Sequence, residues 1–348
     1  KGVPARAIVA MTFTNKAANE MRERVERMLD VPLNRLWIST FHSACVRILR
    51  QHIDRLGYKR SFVIYDETDR SSLLKACMAD LRIDTEQYQP RAIGARISAL
   101  KNNLTDAEQY GKASAHFGFE EAVSRTYSLY QEQLKQSNGL DFDDLLMLTV
   151  KLFEQHQDVL GYYQGLFHHI LIDEYQDTNH AQYRLVRLLT MQRKNLCVVG
   201  DDDQSIYRWR GADVGLILQF EIDYPEAKIV KLEQNYRSTQ TILEAASYII
   251  APNLQRKPHK LWTENEQGLP ITIDEAYNEQ EEAQRVAQEI ERMLSKAEAK
   301  GRDIAVMYRT NAQSRALEET FIRYGIAYKL VGATRFYERR EVKDIIAY

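Results

Sequence analysis

The segment HHILIDEYQDTNHAQ, from His168 to Gln182, constrains the fold of this chain more than any other. Its apolar residues Ile170–Ile172 lead directly into Asp173 and Glu174. A buried strand that ends in adjacent carboxylates places both at the carboxyl edge of a parallel sheet, where open α/β folds bind their ligands. Acidic pairs at strand ends also cap the following helix, so the pair by itself leaves a structural interpretation open.

Polar residues also follow three other predicted strands. Ala7–Val25 runs from a strand through a Thr/Asn/Lys turn into a helix, Asn195–Ala212 carries three aspartates after its strand, and Ile229–Ser238 places a tyrosine and an arginine after a third. Alternation of strands and helices predicts a parallel, doubly wound sheet. The predicted elements are strands Arg6–Phe13, Leu36–Thr40, His168–Asp173, Leu196–Gly200 and Lys228–Leu232, and helices Lys16–Leu29, Ala181–Thr190 and Val214–Phe220.

Two other regions complete the organisation. From Ser43 to Phe167 the apolar spacing is almost all helical, and only Phe62–Tyr65 is strand-like, which predicts a helical subdomain inserted between sheet strands. After a polar connection at Leu254–Pro270, a second α/β unit is predicted. Its elements are strands Pro270–Asp274, Asp303–Tyr308 and Ala327–Val331, and helices Glu279–Leu294 and Gln313–Tyr324.

The acidic doublet suits metal-assisted phosphate chemistry. A carboxylate such as Asp173 can hold Mg²⁺ through water, and Glu174 can orient and deprotonate an attacking water. The turn that follows the second strand carries Gln204, whose amide is either a ligand contact or a group that only stabilises the turn. Tyr207, Trp209 and Arg210 come directly after it and supply flat rings and a phosphate donor, as single-stranded nucleic acid requires.

The ordered motifs resemble those of the UvrD/Rep/PcrA group of superfamily 1 (1A) DNA helicases. They span Ala7 to Ile345, nearly the whole chain, and the series is far more specific than any single motif. The motifs are TFTNKAA, STFHS, LDFDDLL, DEYQDTN, VGDDDQSIYRWRGA, LEQNYRS, YRTNAQSRALEE and FYERREVKD.

The resemblance implies an α/β architecture of RecA-like, P-loop NTPase fold. It assigns residues 1–42 and 168–233 to a first RecA-like domain, 43–167 to the helical insert and 234–348 to a partial second RecA-like domain. In the family these domains face each other across an ATP cleft. The implied activity is ATP-driven 3′ to 5′ movement on single-stranded DNA and at junctions with duplex DNA, in repair or replication restart with other repair or replication proteins.

The resemblance also implies nucleotide contacts beyond the doublet. Gln204 would sense the γ-phosphate, and Gln176 and Asp177 would support the site, although either could merely cap the helix that begins near Asn179. In the family, the arginine at Arg237 reaches the γ-phosphate in the manner of an arginine finger. A salt bridge to Glu233 is the structural alternative for Arg237. Tyr236 stacks on adenine in the family.

The DNA contacts implied by the resemblance lie on several turns. For His42 and for the aromatic pair Tyr207 and Trp209, a structural role in the core is the competing interpretation. The implied DNA-binding residues are Phe13, Thr14, Asn15, Lys16, Thr40, His42, Tyr207, Trp209, Arg210, Arg309 and Asn311, with Phe41 and Arg315 beside them.

Composition bounds the class of protein. With 348 residues, of which 44% are hydrophobic, the chain can bury a sizeable core in two or three domains. No apolar run approaches the length of a membrane span, the opening KGVPAR is no signal peptide, and a cytoplasmic protein is expected. Cys45, Cys77 and Cys197 form no CxxC and are predicted to be buried thiols. The net charge of −2 neither supports nor excludes DNA binding.

One family motif is absent from the sequence. None of the 15 glycines is followed by Lys and then Ser or Thr, so there is no P-loop, which the family carries upstream of the strand near Arg6. Without those amides and that lysine, the phosphates of ATP lose their main cradle. We therefore expect negligible ATP hydrolysis by these 348 residues alone. A non-catalytic DNA-binding or partner-docking fragment, and the motor region of a recombination helicase–nuclease, remain alternatives.

Overall fold

The computed structural model describes residues 2–28, 36–113, 117–208, 211–253 and 259–331. The chain divides into two compact units. The first consists of Lys1–Asn235 with Ala245–Trp262, and the second of Tyr236–Glu244 with Thr263–Tyr348.

The first unit is built on a four-stranded parallel sheet in the order β2-β1-β5-β6. In the register, Thr12 lies opposite Thr40, Met11 opposite Ile172, and Ile172 opposite Val198, so the carboxyl ends of all four strands meet at one edge. This confirms the parallel α/β prediction. The strands are β1 (Ile8–Thr12), β2 (Trp37–Thr40), β5 (His169–Ile172) and β6 (Leu196–Val198).

Helices begin directly after two of these strands, β1 and β2, because polar side chains cap them. The hydroxyl of Thr14 accepts from the amide of Ala17 at 3.1 Å, and Thr40 accepts from the amide of Ser43 at 3.3 Å. Caps of this kind satisfy amides that have no partner inside the helix. The helices that flank the sheet are α1 (Asn15–Met28), α2 (Phe41–His52), α9 (His180–Thr190) and α10 (Gly215–Asp223).

The helical insert folds around its own core and shares a second core with the sheet. Tyr127, Tyr130 and Leu134 of one helix are fully buried in the first core, while Phe153 belongs to the core that also holds sheet residues. The helices are α3 (Glu67–Asp80), α4 (Pro90–Asn102), α5 (Ala107–Lys112), α6 (Phe119–Gln136), α7 (Phe142–Gln155) and α8 (Gln157–Leu166).

The strand expected at Phe62–Tyr65 is present as a two-residue strand, β3 (Val63–Ile64), which pairs in parallel with β4 (Gly139–Leu140). The pattern gave no sign of β4, because two residues are too few to show alternation.

The strand predicted at Lys228–Leu232 is wrong. These residues form no ladder, and Ile229, Val230 and Leu232 are exposed. Pairing in this stretch is limited, within the described residues, to one isolated bridge between Gln234 and Trp262. The apolar run was compatible with a strand, but a strand exists only where a neighbour accepts its backbone hydrogen bonds.

The second unit contains α12 (Glu279–Ser295) and α13 (Ser314–Arg323), close to the predicted helices. The three strands predicted there are wrong, since 270–274, 303–308 and 327–331 form no ladders. Apolar residues of the second and third segments, Ile304, Val306 and Tyr328, instead pack beside the two helices, around Ala287, Ile290 and Phe321, whereas Ile271 and Ile273 of the first are exposed. At 303–308 and 327–331 the alternation of apolar residues indicated which side of the segment packs, but ladder pairing depends on a neighbouring strand that the local pattern does not show. Helix α11 (Gln240–Ile250) contains residues of both units.

One cysteine prediction is also wrong. Cys45 and Cys77 are buried, but Cys197 is exposed on β6, which lies at the end of the sheet order. A strand at the end of a sheet has a neighbouring strand on one side only, so an apolar sequence there does not ensure that its side chains are buried. Within the described ranges, no helix combines the length and the apolar character that crossing a membrane requires.

Candidate functional site

The acidic doublet lies where β5 ends, at the carboxyl edge of the sheet. The amide of Asp173 donates to Met11 on β1 at 3.0 Å, and the amide of Tyr175 donates to Val199 beyond β6 at 2.9 Å. Between these bonds, Glu174 adopts a left-handed backbone with φ of 53°. A side chain other than glycine there costs about 1–3 kcal/mol, and such strain concentrates at functional sites. Glu174 is therefore held in an unfavourable conformation by bonds to both neighbouring strands.

A chain of hydrogen bonds links Glu174 to the turn after β6. The Nε2 group of Gln176 donates to the carboxylate of Glu174 at 2.7 Å, and its Oε1 accepts from the amide of Asp201 at 3.0 Å. The carboxylate of Asp201 then accepts from Nε2 of Gln204 at 2.7 Å. Gln176 is almost completely buried, so both ends of its amide are committed to this connection. We call these four residues the carboxylate–amide relay.

The relay depends on the close approach of two backbones at Gly200. A Cβ atom on Gly200 would lie 2.7 Å from Oε1 of Gln176 and 3.2 Å from the amide nitrogen of Tyr175. Real Cβ atoms essentially never lie within 3.0 Å of a neighbour, so a side chain at position 200 would displace Oε1 of Gln176 and disturb the relay. Glycine is required here by space, since the residue has an ordinary φ.

Gln176 and Asp177 do not cap the next helix. Asn179 is the cap of α9, and its side chain accepts from the amide of Gln182 at 2.9 Å. The Oδ1 atom of Asp177 is buried without a hydrogen-bond partner among the described residues. Burial and the charge of Glu174 raise the pKa of Asp177 to about 6. Burial and Glu174 likewise raise the pKa of Asp173.

Uncompensated negative charge of this kind suits a cation. In the described part of the chain, the three side chains of metal-ligand type whose donor atoms lie within 4.8 Å of one another are Asp201, Asp203 and His259. These three side chains lie close together because of contacts among themselves and with Gln204. Asp201 bonds to Asp203 and Gln204, and His259 lies 3.4 Å from Asp203. Asp173 stands apart from it. A magnesium ion there would take one carboxylate with water and phosphate oxygens, which is its usual coordination.

The raised pKa of Asp177 leads to a pH-dependent prediction. Because the folded state binds this proton more tightly than the unfolded state, the carboxyl group destabilises the fold increasingly as pH rises from about 4 to about 6. Asp177→Asn is therefore expected to raise the free energy of unfolding by about 1–3 kcal/mol at neutral pH, and by much less near pH 4. Urea denaturation at both pH values measures this. The exposed Asp80→Asn is the control, and an equal gain at both pH values for Asp177→Asn would contradict the assignment.

Two aromatic rings from different turns meet at the same edge of the sheet. The ring centroids of Phe13, after β1, and Tyr207, beyond the relay, lie 4.9 Å apart with planes 32° from parallel. Both rings are partly exposed, and Thr14, Asn15 and Lys16 beside them are exposed. A pair of half-open rings with polar neighbours differs from core filling and offers a stacking surface for bases.

The STFHS turn contributes differently from what its motif suggested. The hydroxyl of Thr40 caps α2, and Phe41 is buried. Burial lowers the pKa of His42 to about 4, so this imidazole is neutral at physiological pH. Its ring contacts Phe142 edge-on, with centroids 5.8 Å apart. Phe142 is 54% exposed and was missed as a candidate, although LDFDDLL had been recognised as a motif.

The remaining candidates lie elsewhere. Tyr236, Arg237, Arg309 and Asn311 belong to the second unit. Tyr236, Arg237 and Arg309 are exposed there, and Asn311 lies in the turn before α13. Two further predicted residues, Trp209 and Arg210, lie outside the described residues, as does the FYERREVKD segment.

A parallel sheet flanked by helices, with an acidic doublet at its carboxyl edge, defines this chain as an α/β protein of RecA-like fold. The family model of the UvrD/REP helicase N-terminal domain matches residues 1–225, and that of the UvrD-like helicase C-terminal domain matches residues 230–348. The chain belongs to the UvrD/REP helicase family.

Curated relatives agree with this assignment. The ATP-dependent DNA helicase PcrA of Bacillus subtilis (strain 168) is 51% identical over 341 residues, which cover 98% of this chain and 46% of that protein. PcrA of Staphylococcus aureus (strain COL) is 50% identical over 349 residues, covering 100% of this chain and 47% of the relative. PcrA of Staphylococcus epidermidis is 50% identical over 348 residues, covering 100% and 48%. The chain thus spans about half the length of the curated relatives it matches.

Proposed function

We propose that this chain is part of the motor of an ATP-dependent DNA helicase that moves 3′ to 5′ on single-stranded DNA. The observation that carries the proposal is the carboxylate–amide relay. It runs without interruption from Glu174 to Gln204, and Tyr207 follows three residues later. A change at the carboxylate therefore has a short, rigid route to a ring that can stack on a base. The names of the PcrA relatives, which describe ATP-dependent DNA helicases, point to the same activity.

In this proposal Glu174 is the general base that orients and deprotonates the attacking water. Asp173 holds Mg²⁺ through water, and the ion when bound neutralises charge on the phosphates. Gln204 contacts the γ-phosphate, and its present bond to Asp201 would exchange for that contact. Gln176 and Asp177 support the site. Arg237 supplies positive charge to the γ-phosphate, and Tyr236 stacks on adenine.

The DNA strand is proposed to cross the edge of the sheet where Phe13 meets Tyr207. Bases would stack on the two rings, and Thr14, Asn15 and Lys16 would donate to the backbone. His42 would contact the strand as a neutral donor or acceptor, because its pKa is about 4. Thr40 would act mainly through the helix that it caps. The proposed contacts also include Trp209, Arg210, Arg309 and Asn311.

We propose the domain organisation that the motifs imply. The first RecA-like domain comprises 1–42 and 168–233, the helical insert 43–167, and the partial second RecA-like domain 234–348. The 348 residues contain no GxxxxGK[ST] sequence. ATP hydrolysis is accordingly proposed for the whole protein and not for these residues alone. A cytoplasmic location, a role in repair or replication restart, and binding to junctions of single- and double-stranded DNA complete the proposal.

The test is ATP hydrolysis by the whole protein, with and without single-stranded DNA. We expect DNA to stimulate turnover, and we expect Tyr207→Ala to weaken DNA binding by about 5- to 150-fold, since stacking on an aromatic ring contributes about 1–3 kcal/mol per base. Fluorescence anisotropy with a labelled oligonucleotide measures the binding. Tyr277→Ala, which removes a ring that is 94% exposed in the second unit, is the control. Turnover that is indifferent to DNA would contradict the proposed function.

A further inference from the structure

A second hydrogen-bonded route reaches the acidic doublet, and it comes from the helical insert. It begins at Asn102, the last residue of α4. The Nδ2 group of Asn102 donates to the carbonyl of Ser98 at 2.9 Å and to the carboxylate of Asp143 at 3.0 Å. The hydroxyl of Ser98 donates to the other oxygen of Asp143 at 2.6 Å. Since both partners of Nδ2 are acceptors, the orientation of the Asn102 amide is determined, and its Oδ1 must face the other way.

The anchor for Asn102 is rigid. Its neighbour Lys101 is completely buried, and its ammonium group lies 2.8 Å from both Asp141 and Asp144. These two carboxylates bracket Asp143 at the start of α7. The end of α4 and the start of α7 are thus joined by buried hydrogen bonds between charged groups. Such bonds are strong and directional.

From this anchor, Oδ1 of Asn102 accepts from Nδ2 of Asn179 at 2.6 Å. Asn179 caps α9 with its own Oδ1 and is nearly buried. Serine or aspartate would cap the helix as well as asparagine. Asparagine differs from both because its amide can also donate, and here that donor is used on the helical insert. The cap alone does not explain the choice of residue.

The segment between Asn179 and Glu174 is tied down on both sides. The hydroxyl of Thr178 donates to the carbonyl of Tyr175 at 2.7 Å, and its carbonyl accepts from the amide of Asp213 at 3.0 Å. At the far end of the route, Asp143 follows Phe142, which contacts His42 on the proposed DNA face. The contacts are therefore continuous from that face, through the insert, to the turn that holds the acidic doublet.

We propose that Asn102 and Asn179 are positioning residues that couple the His42–Phe142 contact to the acidic doublet through the helical insert. The inference rests on the proposed function and adds to it a second coupling route, which reaches the segment Asp173–Thr178 from the helical insert and not from the turn after β6. Both asparagines are almost completely buried, with Asn102 9% and Asn179 7% exposed. Each acts by fixing where the segment Asp173–Thr178 lies relative to the insert.

The experiment uses Asn179→Ser in the whole protein, because serine keeps the helix cap and removes only the donor to Asn102. Couplings between sites typically alter an equilibrium by about 5- to 150-fold. We expect the DNA-stimulated kcat to fall by about tenfold, with the rate without DNA and the KM for ATP within about twofold of the original. Asn103→Ala is the matched control, since Asn103 sits on the same turn and its side chain donates to the carbonyl of Ala99 in its own helix. It should leave all three values unchanged.

A rescue separates positioning from general stability. In the exchanged pair Asn102→Asp/Asp143→Asn, the carboxylate at 102 can accept both from Asn179 and from the amide at 143, with the net charge conserved. We expect Asn102→Ala to lose DNA stimulation and the exchanged pair to recover most of it. If wild-type turnover responds to DNA but Asn179→Ser responds fully, or if the exchanged pair fails to recover, the inference is wrong and the proposed function stands. If wild-type turnover ignores DNA, the proposed function is wrong and this inference falls with it.

Discussion

Glu174→Gln is expected to lower ATP turnover by the whole protein by about 10²–10⁴-fold, the range that a positioned general base contributes. Glutamine keeps the size of the side chain and can still bond to Gln176, but it cannot take a proton from water. Binding of ATP should remain close to that of the wild type, because the loss falls on the transition state. Steady-state turnover together with binding of a fluorescent nucleotide separates the two quantities.

The matched control for Glu174→Gln is Glu26→Gln, on the exposed side of α1. It removes one carboxylate from the same unit at a distance from the sheet edge, and it should leave turnover unchanged. A Glu174→Gln protein that turns over ATP at more than about a tenth of the wild-type rate would show that another group is the base.

The second large effect concerns stability and falls in the helical insert. Lys101→Met is expected to lower the free energy of unfolding by about 3–5 kcal/mol. The reason is that Asp141 and Asp144 stay buried but lose their shared counter-ion. Burial by itself would raise the pKa of Asp141, but the charge of Lys101 reverses this and holds that pKa below its ordinary value. Burial and the charge of Asp141 raise the pKa of Asp144 to about 7. Urea denaturation followed by circular dichroism measures the loss.

The pH dependence of this loss has a definite sign. Without Lys101, both carboxyl groups have raised pKa values in the folded state, so the folded state favours their protonated forms. The destabilisation should therefore be small near pH 4 and grow as pH rises through 7. Lys112→Met, which removes an exposed lysine paired with Glu108 on the surface, should leave stability essentially unchanged, because surface ion pairs are screened by solvent. A loss at Lys101 that is the same size at all pH values would contradict the charge argument.

Much of the first unit was predictable because its signals are local. The apolar run before Asp173 and Glu174 predicted β5, and the polar turns after the strands predicted which side chains would meet at one edge. Parallel strands place their carboxyl ends together, so the order of motifs along the chain was enough to bring Phe13 and Tyr207 to the same edge.

What the sequence did not reveal depends on partners distant in the chain. The apolar residues at 228–232 and in the second unit did not show whether a neighbouring strand would accept their hydrogen bonds, and there the strand predictions failed. The sequence around Lys101 and Asn102 does not predict that they bond to Asp141, Asp143 and Asn179, which lie some 40 to 77 positions away. Only the packing of α4 against α7 and α9 brings these groups together.

The amino-acid sequence therefore determined the fold class, the family and the residue types at the edge of the sheet, because periodicity and motif order are written locally along the chain. The tertiary structure alone decided the left-handed backbone of Glu174, the carboxylate–amide relay and the contact between Asn102 and Asn179. Each of these arises from the meeting of separate segments under close packing, where hydrogen-bond partners are chosen by geometry and burial. The spacing of residues along the chain does not predict these hydrogen-bond partners.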